Sequence, residues 1–396
     1  MIPYYRPYYD WSELLAASRP GVGRNDFESA LAERVGARYG IAFAYGRSGF
    51  IASLKALGLT QAKVLLPAYT CAVMAEAVLA SNNHLAFADI NLSDYNIDLA
   101  ALKRALTSQT RVVVATHMYG YPTDVDAIRS TIGDERVIIF EDCAQGLLTF
   151  SPGTNELRGD LGLFSFGPGK TICTVRGGLI VTNSPELYEK IKAYRDREMN
   201  QYSAKVWAKR LAWLLASYLV FQNKIYGLQY RYRHQTTHNA HPSSNLRSES
   251  LPGDLATTFY NFQARIGLAQ LRKLDALVSQ RHAIARLYDQ ELHGVMGVSP
   301  ALIIDGATYT FYSPRIPRRD EIGFKQRMAN CGVSVTQSYN YALPFLDPYQ
   351  SFARETYPRA AQAAREVVNL PCYPALRPIQ IRYIAACVRN IVQEIG

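Results

Sequence analysis

The stretch GDLGLFSFGPGK, residues 159–170, places a lysine in a glycine-rich loop, and the apolar run GGLIVTN follows it at residues 177–183. Upstream, the run Val137–Phe140 has the length and composition of a buried strand, and it ends in Glu141 and Asp142. A strand that ends in a carboxylate therefore precedes a loop that carries Lys170. Lys170 and the carboxylate at the end of the strand are therefore the first candidate functional groups of the chain.

Short apolar runs alternate with helical patterns through the first half of the chain. Strands are predicted at residues 41–44, 64–67, 85–89, 112–115 and 137–140. Helices are predicted at residues 26–39, 50–57, 72–79, 98–106, 124–131 and 187–197. The alternation is typical of βαβ units, and it predicts an α/β fold with a mostly parallel central sheet and helices on both faces. Ligands bind at the carboxyl ends of such strands, so the turns at 46–49, 142–145 and 165–170 are expected to converge.

The second half of the chain has a different pattern. A long helix is predicted from Thr257 or Thr258 to Leu287, and short strands near Val298, 310–312 and 333–335 alternate with helices after it. A chain of 396 residues is long for a single core. We therefore predict two domains, a large ligand-binding domain of residues 1–250 and a smaller C-terminal α+β domain of residues 251–396.

The totals describe a globular protein with a local excess of positive charge. Hydrophobic residues make up 48% of the chain, and the formal net charge is +10, of which +7 falls between Arg195 and Arg247. Six scattered cysteines without a Cys-x-x-Cys pair argue against a zinc site or a disulfide framework, and they favour a reducing, cytoplasmic location. The longest uncharged apolar run in the basic region, residues 211–223, is shorter than the roughly 20 residues of a membrane span, so no transmembrane helix is predicted.

The carboxylate and the lysine suit the chemistry of pyridoxal 5′-phosphate (PLP). In such sites a lysine forms a Schiff base with the cofactor and an acid holds the pyridinium nitrogen, here Lys170 and Asp142. Gln145 is a candidate for the ring's 3-oxygen, and Ser165 for the phosphate. Each residue alone also has a plainer interpretation: Asp142 as a helix cap or surface acid, Lys170 as a solvated lysine, and Ser165 as a core serine.

A second candidate for the phosphate site is the strand–turn–helix at Gly46, Arg47 and Ser48. The free backbone N–H groups of a helix N-terminus bind anions, although most such turns bind nothing.

Several motifs together resemble the DegT/StrS family of PLP-dependent sugar aminotransferases, which have the aspartate-aminotransferase fold (fold type I). The resemblance covers nearly the whole chain. It rests on the motifs EDCAQ at 141–145, GDLGLFSF at 159–166 with Lys170 and GG at 177–178, VLLP at 64–67, FQARIGLAQL at 262–271 and NLPCYP at 369–374. It implies that Lys170 carries the Schiff base and shuttles the proton. It also implies that Asp142 holds the ring nitrogen, and that Ser165, Gly46, Arg47 and Ser48 hold the phosphate.

The chain departs from that family at three positions of the expected site. Arg47 stands where relatives have a threonine, and it could contact the phosphate or the substrate. Cys71 stands where an aromatic residue stacks on the ring, a role that Tyr69 or His117 could take instead. Ala256 stands near an asparagine that reaches the partner subunit's phosphate in relatives, although a homodimer remains the expectation.

The basic, aromatic segment 200–250 is atypical for the family. On a helical wheel, one face of residues 205–230 carries Trp207, Leu211, Leu214, Leu215, Tyr218, Phe221 and Ile225. This face could pack on the protein's own body or on a dimer mate. Alternatively, it could rest on an anionic membrane surface as a peripheral contact. Residues His234–Gly253 are predicted to form a polar loop, and His234, His238 and His241 in it are not expected to bind a metal.

The leading hypothesis is an aminotransferase that moves an amino group from an amino-acid donor, glutamate, to a keto-sugar that is nucleotide-linked. Pyridoxamine phosphate would carry the amino group between the two half-reactions. A dehydratase-like PLP enzyme is an alternative, although such relatives have histidine in place of Lys170. A non-catalytic, membrane-associated adaptor with the PLP fold is another. Nucleic-acid binding ranks low because no recognised module is present.

Overall fold

The computed structural model describes residues 1–150, 156–236, 252–317 and 321–395. A seven-stranded sheet forms its centre, in the order β1-β7-β6-β5-β4-β2-β3. The strands are Tyr39–Phe43 (β1), Lys63–Pro67 (β2), His84–Ala88 (β3), Thr110–Thr116 (β4), Ile138–Asp142 (β5), Leu161–Ser165 (β6) and Gly178–Thr182 (β7). Strands β2 to β6 are parallel, and β7 runs antiparallel to both β6 and β1. The prediction of a mostly parallel sheet is confirmed.

Fourteen α-helices surround and extend this sheet in the described part of the chain. In the first half they are Trp11–Ser18 (α1), Arg24–Arg34 (α2), Gly46–Ala56 (α3), Ala72–Ala80 (α4), Leu99–Ala105 (α5), Val125–Ile132 (α6) and Pro185–Glu198 (α7). In the second half they are Ala204–Val220 (α8), Asn223–Thr236 (α9), Asn261–Leu271 (α10), Leu274–Leu292 (α11), Glu321–Asn330 (α12), Pro358–Glu366 (α13) and Pro378–Ile395 (α14). Among the described helices, none combines the length and the apolar character that crossing a membrane requires.

Two of the predicted helices differ most from the structure in their bounds. The helix predicted at 26–39 ends at Arg34, because Tyr39 already pairs with Thr182 in the sheet. The helix predicted from Thr257 or Thr258 to Leu287 is interrupted between α10 and α11. Lys273 there has a φ of −113°, and its ammonium group pairs with Asp10 and Glu13 near the start of α1.

The basic, aromatic segment also differs from its prediction. Residues 205–230 belong to two helices, α8 and α9, which are separated at Phe221 and Gln222. Helix α9 continues to Thr236, so the predicted polar loop begins later than His234. His238 and His241, which were considered as metal ligands, lie outside the described residues.

The predicted strands of the C-terminal part occur in the described residues only as isolated bridges, such as Tyr312 with Leu370 and Thr336 with Asn369. Near the first of these bridges, the guanidinium group of the buried Arg281 of α11 donates to the carbonyl oxygens of Tyr309 and Thr310 at 3.2 and 3.1 Å. The predicted domain division at residue 250 falls outside the described residues and stays a prediction.

Candidate active site

A cavity of about 220 Å³ lies at the carboxyl ends of β5 and β6. Six of the seven predicted site residues line it: Gly46, Arg47, Asp142, Gln145, Ser165 and Lys170. The seventh, Ser48, is buried in α3 and donates its hydroxyl hydrogen to the carbonyl oxygen of Leu255 at 2.9 Å, so its side chain faces away from the cavity. Turns from three separate strands therefore converge, as expected for a parallel sheet.

Asp142 is the last residue of β5, and only 5% of it is exposed. Burial raises the pKa of its carboxyl group, and the hydrogen bond from the Ala144 N–H and the charge of Lys170 oppose this rise. One carboxylate oxygen accepts the Ala144 N–H at 3.1 Å. A buried carboxyl group of this kind is suited to a cationic partner in the cavity, such as a protonated ring nitrogen.

Lys170 follows Gly169, whose φ of +86° favours glycine and turns the chain back toward the cavity. Its own N–H donates to the carbonyl oxygen of Gly167 at 3.2 Å. Burial lowers the pKa of the Lys170 amine, while Cys71 and Asp142 oppose that shift. A lysine with a lowered pKa is a better nucleophile and proton acceptor at neutral pH.

The N-terminus of α3 and Ser165 form the part of the cavity that suits an anion, and we call this part the anion cradle. Helix α3 begins at Gly46, directly after β1, so its first backbone N–H groups lack helical partners. A Cβ on Gly178 of β7 would lie 2.3 Å from the Gly46 nitrogen, so only glycine permits this approach. Ser165 lines the same cavity. A helix N-terminus with an adjacent serine suits the phosphate of PLP.

Gln145 completes the fit to PLP. Its side-chain nitrogen donates to the Tyr339 hydroxyl at 2.5 Å, whereas its side-chain oxygen is buried without a hydrogen-bond partner. Such an orphaned acceptor is costly unless a bound group satisfies it. The hydroxyl on the PLP ring is a group of that kind, so the residues present suit the cofactor.

Neither aromatic alternative to Cys71 lines the cavity. The Tyr69 hydroxyl pairs with that of Tyr119 at 2.7 Å, and Tyr69 is fully buried. The His117 ring lies 3.0 Å from Glu141 and accepts the Thr123 N–H at 3.1 Å. Cys71 itself does line the cavity, so a sulfur atom occupies this wall.

Several residues that line the cavity are not among the predicted site residues, and Arg176 and Tyr339 are two of them. Arg176 directly precedes the quoted GG pair, so its place in the motif was a usable signal. Tyr339 comes from the C-terminal part, and no periodic pattern marks it. Arg47 lies 3.7 Å from Glu76, which directs its charge toward that carboxylate.

One buried group has the composition of a metal site: His117, Glu141 and Cys143. The ligand atoms of His117 and Glu141 already have hydrogen bonds. One Glu141 oxygen accepts the N–H groups of Arg158 and Gly159, and the other accepts the N–H of His117, whose second nitrogen accepts from Thr123. These bonds hold β5 against the next loop and leave no free imidazole lone pair for a metal.

Comparison with known proteins places these features in a family. A sequence model of the DegT/DnrJ/EryC1/StrS aminotransferase family matches residues 16–389. GDP-perosamine synthase of Vibrio cholerae is 24% identical over 98% of this chain and 99% of its own length. UDP-2-acetamido-2-deoxy-3-oxo-D-glucuronate aminotransferase of Pseudomonas aeruginosa is 25% identical over 92% of this chain and 89% of its own. The aminotransferase TlmJ from Streptoalloteichus hindustanus has the same fold, with a TM-score of 0.78 and 24% identity over 100% of this chain and 99% of its own.

Proposed function

The chain belongs to the DegT/DnrJ/EryC1/StrS aminotransferase family, and we propose that it transfers an amino group from glutamate to a nucleotide-linked keto-sugar. That it is a PLP-dependent aminotransferase of the sugar-modifying kind follows from the family. The nucleotide linkage is supported by the names of the two relatives, which contain a GDP-linked and a UDP-linked sugar. Glutamate as the donor is the expectation from the sequence resemblance, and the half-reaction below tests it. The observation that carries the proposal is the pairing of Lys170 and Asp142 in one cavity.

Some residues of the cavity would bind the PLP ring and move the proton, and others would bind the phosphate. When bound, PLP supplies a ring that withdraws electrons from the reacting carbon. The Asp142 carboxylate holds the ring nitrogen protonated, and the Gln145 oxygen orients the ring. The Lys170 amine, with its lowered pKa, would bind the cofactor and hold the proton that is moved during the transfer. The N-terminus of α3 and Ser165 bind the phosphate.

A half-reaction tests the function. The holoenzyme is treated with glutamate, freed of excess donor, and offered keto-sugars with and without a nucleotide. A nucleotide-linked ketone should restore the original absorbance of the bound cofactor, and a free sugar should not. The opposite order of reactivity would overturn the nucleotide linkage, and no response to glutamate would overturn the donor.

Replacement of the lysine tests the site. Lys170→Ala should abolish turnover and the visible absorbance of bound PLP, because no other lysine lines the cavity among the described residues. Lys55→Ala, an exposed lysine in the last turn of α3, is the matched control and should behave as the wild type. Turnover and visible absorbance that persist in Lys170→Ala would refute the assignment of Lys170 as the Schiff-base residue.

A homodimer remains part of the proposal. Its support is a wide surface cleft of about 1170 Å³ between α2, α8 and α10, lined by Arg24, Tyr202, Trp207 and Arg265 among others. Trp11 and Leu15 of the adjoining α1 are 77% and 55% exposed. A Trp11→Ser/Leu15→Ser variant should dissociate in sedimentation-velocity runs, whereas an unchanged dimer, or a wild-type monomer, would contradict the proposal.

Only the exposed residues of the segment 205–230 are available for the proposed peripheral membrane contact. Leu214 and Phe221 of the predicted apolar face are buried in the protein's own body, whereas Leu219 and Leu228 are 63% and 73% exposed. The exposed Lys224 lies between these two leucines in sequence and suits an anionic surface. Leu219→Ser/Leu228→Ser should reduce co-sedimentation with phosphatidylserine vesicles. Equal binding by variant and wild type would refute the contact.

A further inference from the structure

Arg176 is a cation at the mouth of the cavity. Among the residues that the structure describes, no carboxylate forms an ion pair with its exposed guanidinium group. The other arginine of the cavity, Arg47, lies near Glu76. An arginine that faces a ligand cavity without a carboxylate partner is available to bind an anion bidentately.

The turn that carries Arg176 is held in an unfavourable conformation. Val175 has a φ of +72°, which costs a β-branched residue free energy and persists only where the surroundings enforce it. The enforcing group is Gln263 of α10, which is fully buried and donates its side-chain N–H groups to the carbonyl oxygens of Thr174 and Arg176. The backbone at Arg176 is therefore fixed before any ligand binds.

This turn lies against the anion cradle. Gly178, two residues after Arg176, touches the Gly46 backbone at the start of α3. Arg176 lines the same cavity as Gly46 and Ser165, and one guanidinium nitrogen lies 3.9 Å from where a Cβ on Gly167 would be. Burial raises the pKa of Tyr45, the residue before α3, and the positive charge of Arg176 is close enough to oppose that rise.

We propose that Arg176 binds the 5′-phosphate of PLP, supplying from within one chain the positive charge that the α3 N-terminus and Ser165 lack. The phosphate then meets backbone N–H groups, a hydroxyl group and a guanidinium group of the same cavity. Gln263 acts as a positioning residue for that contact. The inference rests on the proposed use of PLP, and it assigns Arg176 to the cofactor and not to the substrate.

The test compares two forms of the cofactor. Apoenzyme is titrated with PLP and with pyridoxal, which lacks the phosphate, for wild type, Arg176→Gln and Arg176→Lys. Hydrogen bonds to charged groups are typically strong enough that we expect about a 10- to 100-fold weaker affinity of Arg176→Gln for PLP, with a smaller loss for Arg176→Lys. The affinity for pyridoxal should be unchanged. Arg38→Gln, at the opposite end of β1, is the control for removal of an exposed arginine.

The outcomes separate the competing assignments. Equal losses for PLP and pyridoxal would show that Arg176 supports the turn and not the phosphate, which overturns the proposal. Unchanged PLP affinity with a raised KM for glutamate or for the sugar would assign the arginine to the substrate, which also overturns it. Absence of PLP binding by the wild type would instead refute the proposed function. A loss specific to PLP that shrinks with added salt would support the phosphate contact.

Discussion

Replacement of Arg210 tests whether its buried contacts hold α8 against the rest of the protein. This arginine is 4% exposed in the middle of a helix rich in Trp, Leu and Tyr. Its guanidinium group donates to the side-chain oxygen of Gln263 at 3.0 Å and to Asp254 at 3.2 Å. It also lies over the rings of Tyr45 and Tyr260, at 5.3 and 5.5 Å from their centroids. One buried cation thus connects α8 to α10 and to the residue before α3.

Arg210→Met removes the charge and keeps most of the volume. Breaking a buried ion pair by removing one partner typically costs about 3–5 kcal/mol. The Asp254 side chain is 24% exposed, so water replaces part of the lost interaction. We therefore expect the opening free energy of α8 to fall by about 2 kcal/mol, which is a roughly 30-fold increase in its opening equilibrium.

Hydrogen exchange followed by mass spectrometry measures this locally. Peptides covering α8 and residues 252–256 should exchange faster in Arg210→Met, and peptides from β4 should not change. Lys209→Met replaces the exposed neighbouring residue of the same helix and should leave all peptides unchanged. Equal effects of Arg210→Met and Lys209→Met would refute the reasoning, because the buried network would then add nothing. Arg210→Met/Asp254→Asn should recover part of the loss, since both partners are then uncharged.

Three further predictions concern the cavity and its support. In cofactor-free protein, Lys170→Met should raise Tm near neutral pH, because the folded-state pKa of the lysine is lowered. The gain should shrink as pH rises toward the ordinary lysine value of 10.5 and be lost above it, where the wild-type amine is neutral in both states; a pH-independent difference in Tm would contradict this. Asp142→Asn should lower kcat by about 100-fold or more with PLP still bound, because an amide cannot hold the ring nitrogen protonated; an unchanged kcat would refute the assigned role. Glu141→Gln should cost about 2–4 kcal/mol, since its two oxygens accept three N–H groups in a buried site; a Tm equal to that of the wild type would show that this network is dispensable.

The sequence was sufficient for the sheet and for most of the cavity. Asp142 and Ser165 are the last residues of β5 and β6, and Lys170 lies in the loop that follows β6. Apolar runs of four or five residues locate such strand ends well. The antiparallel pairing of β7 with β1 leaves no mark in the sequence, because hydrophobic runs do not encode strand direction. Tyr339 was missed for a similar reason, since it reaches the cavity through tertiary packing across the chain.

In the basic, aromatic segment, the hydrophobic periodicity did not predict which side chains are buried. The helical wheel placed Leu215 on the apolar face, yet Leu215 is 54% exposed, whereas Arg210 and Ser217, which are not part of that face, are buried. Arginine burial depends on partners, here Asp254 and Gln263, which the wheel cannot contain. Deleting residues 205–230 would therefore damage the enzyme's body, and surface substitutions are the cleaner test of a membrane contact.

The pairing of β1 with β7 also bears on the order in which the protein can form during synthesis. Tyr39 pairs with Thr182, and β7 is the one strand of the described sheet that pairs with β1, so β1 waits for roughly 140 further residues before that partner leaves the ribosome. Until then, the backbone of Gly178, which packs against the backbone of Gly46 at the anion cradle, has not been synthesised. A nascent chain that stops after Lys170 would hold the lysine and the aspartate but could not retain the cofactor. We expect PLP to be captured only after this contact forms, so ribosome-stalled chains ending before residue 178 should fail to bind it.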